Sequence, residues 1–307
     1  MQHAPQMTSR DWALLVALSV LWGGSFFFVG VAVREWPPLP IVLLRVAIAA
    51  AALWGLVAAL RLPVRHDRAA LLTFAGMGLL NNAIPFGLIV WAQGSLPSGV
   101  ASILNATTPL WGVLVAHLAG AERATPRHVA GVLVGFVGVA AMVGADLTEG
   151  LSGHALATAA MLLATAAYAL AGLFGLRVRA LGIPPLVAAA GQTTASTLLL
   201  LPPVLMLSPP WGLPVPSLAM AAALAGLGLL STALAYLLYF RLLASAGPVN
   251  LLLVTLLVPV SAILLGALVL GEALAPRHAL GMAGVAAGLA LIDGRLVTRL
   301  RGRGAAA

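Results

Sequence analysis

The stretch ERATPRHVAG, residues 122–131, returns in altered form as EALAPRHALG, residues 272–281. Both copies carry the pattern E-x-x-x-P-R-H-x-x-G, and they are 150 residues apart in a chain of 307. Each copy lies between two long apolar runs. A polar loop and helix start that occurs twice, half a chain apart, indicates that the sequence is built from two related halves.

The composition identifies lipid as the solvent around most of the chain. Hydrophobic residues make up 62% of the sequence and charged residues 8%, whereas an ordinary soluble domain has about 25% charged residues. The net charge of +8 is therefore not read as a nucleic-acid footprint, and no nucleic-acid partner is expected. The absence of cysteine excludes disulfides, thiolate catalysis and thiolate metal sites. We expect no catalytic residue, metal or cofactor.

The apolar runs predict ten transmembrane helices. A hydrocarbon core of about 30 Å needs roughly 20 helical residues, and the runs lack the two-residue alternation of strands. The first run, from Trp12, is too long for a cleaved signal and is interpreted as a span. The predicted spans are 12–33, 40–60, 69–91, 99–119, 128–145, 155–176, 186–207, 218–241, 250–270 and 278–294.

The distribution of arginine predicts the orientation in the membrane. With a cytoplasmic N-terminus, thirteen arginines lie in inner segments and two, Arg34 and Arg277, lie in outer loops. Such a bias is typical of cytoplasmic loops. The sequence therefore predicts a multi-pass protein of the cell (inner) membrane, surrounded by membrane lipids, with both termini in the cytoplasm.

The repeat divides the chain into residues 1–149 and residues 150–307, each with five predicted spans. Because five is odd, the second half must enter the membrane from the opposite side. Inverted repeats are typical of secondary transporters, in which they give two nearly equivalent states open to either side. The predicted fold is an all-α integral membrane protein, with ten transmembrane helices arranged as two inverted five-helix repeats around a central cavity.

The repeated element itself is interpreted as structural. Thr125 suits a helix N-cap and Pro126 suits the first helical position, so the element starts the fifth predicted span. Gly131 lies one turn further on, where a small residue allows close helix contact. Glu122 and Glu272 are expected to cap a helix or to pair with a nearby arginine.

Two segments resemble the EamA-type members of the drug/metabolite transporter superfamily: LWGGSFFFVGVAVREWPPLPIVLLRVAIAA, residues 21–50, and GAERATPRHVAGVLVGFVGV, residues 120–139. The resemblance extends over nearly the whole chain. It implies export or exchange of small metabolites, commonly amino acids, through a central cavity lined by helices of both halves. The single arginine of the family's second span is matched by Arg45, and the corresponding place in the second half is Gln192.

Polar and aromatic side chains near the centres of the predicted helices mark the candidate substrate site, because polar groups are costly inside a membrane. The 150-residue offset pairs some of them, such as Asn105 and Thr255, as expected of a cavity on a pseudo-two-fold axis. The alternative is that they only hold helices together or fill gaps. The candidate substrate-binding residues are Trp22, Ser25, Asn81, Asn82, Asn105, Thr108, Tyr168, Ser231, Tyr236 and Thr255.

Prolines within the spans are predicted to expose backbone carbonyls at a similar depth. A proline inside a helix frees the carbonyl four residues earlier, and in lipid that carbonyl needs a partner or a wet cavity. The carbonyls concerned are those of Asn81, Asn105 and Thr255. The sequence predicts that they form a ring of acceptors for an ammonium or amide group.

Arg45 allows three interpretations. It lies about two turns inside the second span, where a buried charge costs about 2.5–3.5 kcal/mol. It can extend outward to the interface, pair with Glu35, or attract a substrate carboxylate.

The predicted function is a secondary transporter that exports or exchanges small metabolites, above all amino acids, including aromatic or other neutral ones, by alternating access. No acidic residue lies near a predicted helix centre, which favours facilitated transport over proton coupling. The alternatives are a lipid or polyprenyl-phosphate flippase with Arg45 as the phosphate handle, a channel, and an intramembrane enzyme. The sequence has no His-Glu-x-x-His motif and no paired intramembrane aspartates, which argues against an enzyme.

Overall fold

The computed structural model describes residues 7–120, 125–148, 153–251, 254–273 and 275–293, and this part of the chain is helical with no β-strand. Three π-helical turns, Leu79–Ala83, Gly226–Leu234 and Gly266–Leu270, and one 3-10 turn, Pro210–Gly212, join or follow α-helices. The α-helices are α1 (Ser9–Ala32), α2 (Pro38–Ala59), α3 (Arg68–Gly78), α4 (Ile84–Ala92), α5 (Ser98–Asn105), α6 (Thr108–Leu118), α7 (Pro126–Thr148), α8 (Gly153–Phe174), α9 (Leu176–Ala180), α10 (Pro185–Leu207), α11 (Leu218–Ala225), α12 (Ala235–Leu251), α13 (Val254–Leu265) and α14 (Pro276–Asp293).

Helices coincide with all ten predicted spans, although several of them contain breaks. The third span comprises α3, a π-helical turn and α4, and the fourth comprises α5 and α6. Within the described part of the chain, seven helices are long and apolar enough to cross a membrane. Two shorter apolar helices, Pro126–Val139 and Leu257–Leu270, lie in the predicted fifth and ninth spans. The count of ten spans stays a prediction.

Local capping sets where the helices begin. The Thr8 hydroxyl accepts a hydrogen bond from the Asp11 N–H at 3.2 Å, and the Asp11 carboxylate accepts one from the Thr8 N–H at 2.9 Å. This reciprocal capping box satisfies two of the donors left free at the start of α1. At the start of α3, the Asp67 carboxylate accepts a hydrogen bond from the Ala70 N–H at 2.9 Å.

The histidine of the repeated motif caps a helix in both copies. The Thr125 hydroxyl accepts a hydrogen bond from the His128 N–H at 3.3 Å, while Nδ1 of His128 accepts one from the Thr125 N–H at 3.5 Å. In the second copy, Nδ1 of His278 accepts a hydrogen bond from the Ala275 N–H at 3.2 Å. Histidine at the third helical position thus accepts the hydrogen bond that the Glu or Gln side chain accepts in a capping box. These contacts support the structural interpretation of the motif.

Helices α7 and α14 pack against each other along their length through glycines. A Cβ atom at Gly138 would lie 2.8 Å from Cα of Gly284 and 3.0 Å from the carbonyl oxygen of Gly281. One at Gly288 would lie 2.5 Å from the carbonyl oxygen of Gly131. The two backbones therefore touch, and the helices run antiparallel. Residues 131 and 138 match residues 281 and 288 in the repeat. The contact of Gly138 with Gly281 and the contact of Gly131 with Gly288 are therefore equivalent, as expected if a two-fold axis relates the two helices.

Three clusters of buried apolar side chains fill the bundle. The first lies mainly between α1, α5, α8 and α13 around Leu104, the second between α1, α2 and α11 around Ile41, and the third between α2, α3 and α10 around Val187. Tyr168 packs against the first and second clusters, and Tyr236 packs against the third. Tyr168 therefore lies between two clusters, and Tyr236 lies at the edge of the third.

Candidate functional site

A network of side-chain hydrogen bonds connects the two halves of the chain. Nδ2 of Asn81 donates to Oε1 of Gln192 at 3.3 Å and to the Tyr236 hydroxyl at 3.2 Å. Nε2 of Gln192 also donates to that hydroxyl, at 2.8 Å. The Tyr236 hydroxyl in turn donates to Oδ1 of Asn82 at 3.3 Å, and Nδ2 of Asn82 donates to the Ser196 hydroxyl at 3.0 Å. We call these five residues the polar network.

Two π-helical turns position polar residues of this region. Asn81 and Asn82 lie in the turn Leu79–Ala83, and Thr232 lies in the turn Gly226–Leu234. Pro85 lacks the N–H that would bond to the Asn81 carbonyl in an α-helix, and the helix widens beside it. The two turns overlap at the 150-residue offset of the repeat. Such turns are frequent at functional sites.

Arg45 reaches into the same region from α2. Its side chain is buried, its Nε donates to the Thr232 hydroxyl at 3.0 Å, and its guanidinium carbon lies 3.7 Å from the centre of the Phe86 ring. The Thr232 hydroxyl donates its own proton to the Leu227 carbonyl at 2.8 Å, across the π-helical turn. Its lone pairs therefore remain available to Arg45.

Two interpretations of Arg45 from the sequence are wrong. Arg45 does not pair with Glu35, whose carboxylate accepts hydrogen bonds from the N–H of Ser217 at 3.0 Å and from its hydroxyl. These bonds, in a loop outside the spans, lower the pKa of Glu35 below its ordinary value. Nor does Arg45 extend to the surface, since its side chain is only 5% exposed.

Tyr168 lies beside the same arginine. Its ring contacts the edge of the Phe86 ring, with 6.5 Å between the ring centres. The Phe86 ring therefore contacts both the Arg45 guanidinium and the Tyr168 ring. The structure thus joins three predicted site residues, Asn81, Asn82 and Tyr236, by hydrogen bonds, and Tyr168 reaches the same region through its contact with Phe86.

A second polar group lies where the fourth predicted span breaks between α5 and α6. The Thr108 hydroxyl donates to the Asn105 carbonyl at 2.7 Å, so this carbonyl has a local partner, and its predicted role as an acceptor for the solute stays a prediction. Oδ1 of the Asn105 side chain is buried and accepts no hydrogen bond within the described part of the chain. The Thr107 hydroxyl lies 3.3 Å from that of Thr165 in α8.

The remaining predicted site residues are not members of the polar network. The Trp22 ring packs beside Tyr239, with 5.8 Å between ring centres, and Ser25 is buried in α1. The Ser231 hydroxyl is buried and has no hydrogen-bond partner among the described residues. Thr255 is half-buried near the start of α13. That these residues share the site stays a prediction.

Glu272 of the repeated motif caps a helix of the other half. Its carboxylate accepts hydrogen bonds from the Ser98 N–H at 3.0 Å, the Ser98 hydroxyl at 2.6 Å and the Gly99 N–H at 3.3 Å. A Cβ at Gly266 would lie 2.5 Å from this carboxylate, so a glycine there leaves room for it. The capping expectation is confirmed for Glu272, while Glu122 lies outside the described residues.

Replacing Glu272 with alanine is expected to lower the stability of the folded protein by about 1–2 kcal/mol, because three donors at the start of α5 lose their acceptor. Thermal unfolding of the purified protein in detergent measures this loss. Arg34→Ala, at an exposed position in a loop near the same end of the bundle, is the control and should change stability by less than about 0.5 kcal/mol. Equal unfolding temperatures for the two variants would show that the cap contributes nothing.

The chain is similar to known membrane proteins over most of its length. The sequence profile of the EamA-like transporter family matches residues 11–144 and residues 155–293. The uncharacterized inner membrane transporter YedA of Escherichia coli is 26% identical over 263 residues, covering 85% of this chain and 83% of YedA. A probable terminal-alkyne amino-acid exporter of Streptantibioticus cattleyicolor is 29% identical and covers 96% of this chain and 97% of its own.

One further relative and one solved structure agree with these matches. Protein PecM of Dickeya dadantii is 27% identical, covering 71% of this chain and 72% of PecM. A protein crystal structure with 20% sequence identity has a TM-score of 0.64 and covers 95% of this chain and 99% of that one, which shows a shared fold. Because the profile matches twice and covers most of the sequence, this chain belongs to the EamA-like transporter family.

Proposed function

We propose that this transporter exports or exchanges small metabolites, above all amino acids, by alternating access to a site between its two halves. The observation that carries the proposal is the polar network. It connects Asn81 and Asn82 of the first half to Gln192 and Tyr236 of the second. Polar groups at this depth are expensive in lipid and mark substrate pathways. Because the network joins the two halves, its hydrogen bonds must rearrange when the transporter closes on one side of the membrane and opens on the other.

The proposal includes ten spans in two inverted repeats, in the inner membrane, with both termini cytoplasmic. The antiparallel glycine contact between α7 and α14 supports inversion, because it is symmetric in the register of the repeat. The arginine distribution supports the orientation. Tags placed in the two copies of the repeated motif are then expected on opposite sides of the membrane.

Neutral amino acids are the proposed cargo, because the polar network is uncharged and aromatic rings lie near it. Nδ2 of Asn81 donates to Gln192 and Tyr236, and no donor among the described residues reaches its Oδ1. That oxygen is a suitable acceptor for an ammonium group, and the Tyr168 and Tyr236 rings offer faces for an amine or an apolar side chain. The name of the Streptantibioticus cattleyicolor relative points to the same class of solute.

Facilitated transport is proposed because no acidic side chain takes part in the polar network. The buried Asp11 lies in the first turn of α1, where its carboxylate accepts hydrogen bonds from Thr8 and from the Ser245 hydroxyl at 2.6 Å. It therefore has a capping and helix-joining role at one end of the bundle. A carrier without a titratable group in its pathway does not need a proton gradient.

Counterflow in proteoliposomes tests the proposal. Vesicles loaded with an unlabelled amino acid are expected to accumulate the labelled form transiently, in a saturable and stereoselective way. Empty vesicles without protein are the control. Collapsing the proton gradient should leave downhill flux unchanged if transport is uncoupled. Uptake that rises linearly with concentration, or no uptake of any amino acid, would contradict the proposal.

A further inference from the structure

Arg45 carries a buried charge that has no counter-ion among the described residues. Arg45 and Asp11 are the only buried charged side chains among the described residues, and Asp11 is bonded to Thr8 and Ser245. The one salt bridge within the described part of the chain joins Arg65 and Asp67. A guanidinium stays protonated in proteins, so it needs compensation from its surroundings.

The protein supplies only part of that compensation. A guanidinium has five N–H donors, and one of them, on Nε, bonds to the Thr232 hydroxyl. The Phe86 ring, 3.7 Å away, adds a cation–π contact on one face. No described residue accepts a hydrogen bond from the two terminal nitrogens of Arg45. Those nitrogens form the planar edge that binds a carboxylate with two parallel hydrogen bonds.

Neighbouring residues hold this edge in place. Gly228 lets the π-helical turn approach α2 closely, since a Cβ there would lie 2.5 Å from the Ile48 side chain and 3.2 Å from the Arg45 carbonyl oxygen. The Thr232 hydroxyl in that turn fixes Nε, and Phe86 fixes the plane. The guanidinium is therefore positioned before any ligand arrives, which reduces the entropy lost on binding.

We propose that Arg45 binds the carboxylate of the transported solute and that the cargo supplies its missing counter-charge. The inference rests on the proposed function and makes it more specific, because it requires a free carboxylate on every good substrate. Tyr168 packs against the same Phe86 ring as Arg45, and Tyr236 lies one helical turn after Thr232, so both are placed to contact the rest of the solute. Thr232 is a positioning residue, since it acts through Arg45.

A small solute fits this site better than a phospholipid does. Arg45 is 5% exposed and is covered by Phe86 and Thr232, whereas a lipid headgroup must enter together with its chains. It is also the only buried basic residue in the described part of the chain. The single basic residue also suits a polyprenyl phosphate poorly, because a phosphate monoester has up to two negative charges and usually binds to several cationic or N–H donors.

The test compares amino acids with their carboxamides in counterflow. The probes are L-leucine, L-phenylalanine, L-threonine and L-glutamine, each beside the amide of its α-carboxyl group. The wild-type protein is expected to bind the acid on the order of 100-fold more tightly than the amide for each amino acid that it exchanges. In Arg45→Gln the acid loses about that factor while the amide changes little, so the preference falls to a few-fold.

Further variants separate this role from a structural one. Arg45→Lys keeps the charge but loses the planar edge, and it should keep part of the preference for the acid. Thr232→Val should raise the half-saturation concentration about 10-fold without removing that preference. A variant that fails to fold loses acid and amide together, whereas the expected Arg45→Gln protein still exchanges the amide.

The outcomes distinguish this inference from the proposed function. If the wild-type protein exchanges amino acids and their amides equally well, or if Arg45→Gln keeps the preference for acids, Arg45 is not the carboxylate site and the transporter proposal stands. If it exchanges no amino acid, both proposals are wrong. If it instead moves fluorescent phosphatidylglycerol between leaflets in an Arg45-dependent manner, the ligand is a lipid phosphate and the carboxylate proposal is wrong.

Discussion

Replacing Gly284 with valine is expected to separate α7 from α14 and to prevent purification of a monodisperse folded protein. A Cβ at this position would lie 2.6 Å from Cα of Gly138 and 3.3 Å from its backbone nitrogen. No side chain can move aside, because the neighbouring atoms are backbone. Overpacking typically costs about 1–3 kcal/mol, and van der Waals packing is a main source of helix association in lipid. Size-exclusion chromatography in detergent, with thermal unfolding of any folded fraction, measures the effect.

The matched control is Gly55→Val in α2. A Cβ at Gly55 would meet no heavy atom within 4 Å, so the same change adds volume where there is space. Its elution profile and unfolding temperature should resemble those of the unmodified protein. Gly284→Ala should be intermediate between the two valine variants. A Gly284→Val protein as stable as Gly55→Val would show that the α7–α14 contact is looser than the structure gives.

Asn81→Leu is expected to reduce counterflow by a factor on the order of 100 while the protein still folds. Asn81 is half-exposed in the interior of its span, and a polar group there is costly unless it faces other polar groups or a solute. Hydrogen bonds between membrane helices contribute only about 0.6 kcal/mol each, so losing its two bonds should leave the fold intact. Initial counterflow rates and unfolding temperatures are measured on the same preparation.

Asn82→Leu provides the contrast, because Asn82 is fully buried and bonds to Ser196 and Tyr236. We expect this variant to lower the unfolding temperature, since a larger side chain must fit and two buried polar groups lose a partner. Comparing the two variants therefore distinguishes a residue that contacts the solute from a residue that holds helices together. Normal transport by Asn81→Leu would assign the polar network a structural role alone.

The helices were predictable from the sequence because their cause is local. Each apolar run has few polar side chains, and lipid requires the backbone hydrogen bonds to be made within the segment. The π-helical turn at Leu79–Ala83 and the break after Asn105 were not predicted as such. The nearby prolines indicated a disturbance, but whether a helix widens or breaks depends on the neighbours that pack against it.

The polar network was predictable only in part. Mid-span position identified three members of the network, Asn81, Asn82 and Tyr236, from the sequence, and also Tyr168 beside it. It did not identify the partners of Asn82 and Arg45. A helix in lipid is apolar on all sides, so its sequence has no periodic polar pattern that indicates which neighbouring helix packs against each face. Ser196 and Thr232 take these roles. The sequence indicated a polar position on α10 in one way only, because Gln192 occupies the place in the second half that corresponds to Arg45 in the first.

The two π-helical turns give the third and eighth predicted spans a way to change shape without unfolding. Each turn closes hydrogen bonds five residues apart, as between the Ile84 N–H and the Leu79 carbonyl. Shifting the bonding by one residue to the α-helical spacing would rotate the rest of that helix by about 100° and move it by about 1.5 Å. Asn82 and Thr232, which lie within these turns, would then point to different neighbours. In the eighth span, whose turn contains no proline, the backbone could remain hydrogen-bonded throughout, whereas in the third span Pro85 cannot donate to the Asn81 carbonyl.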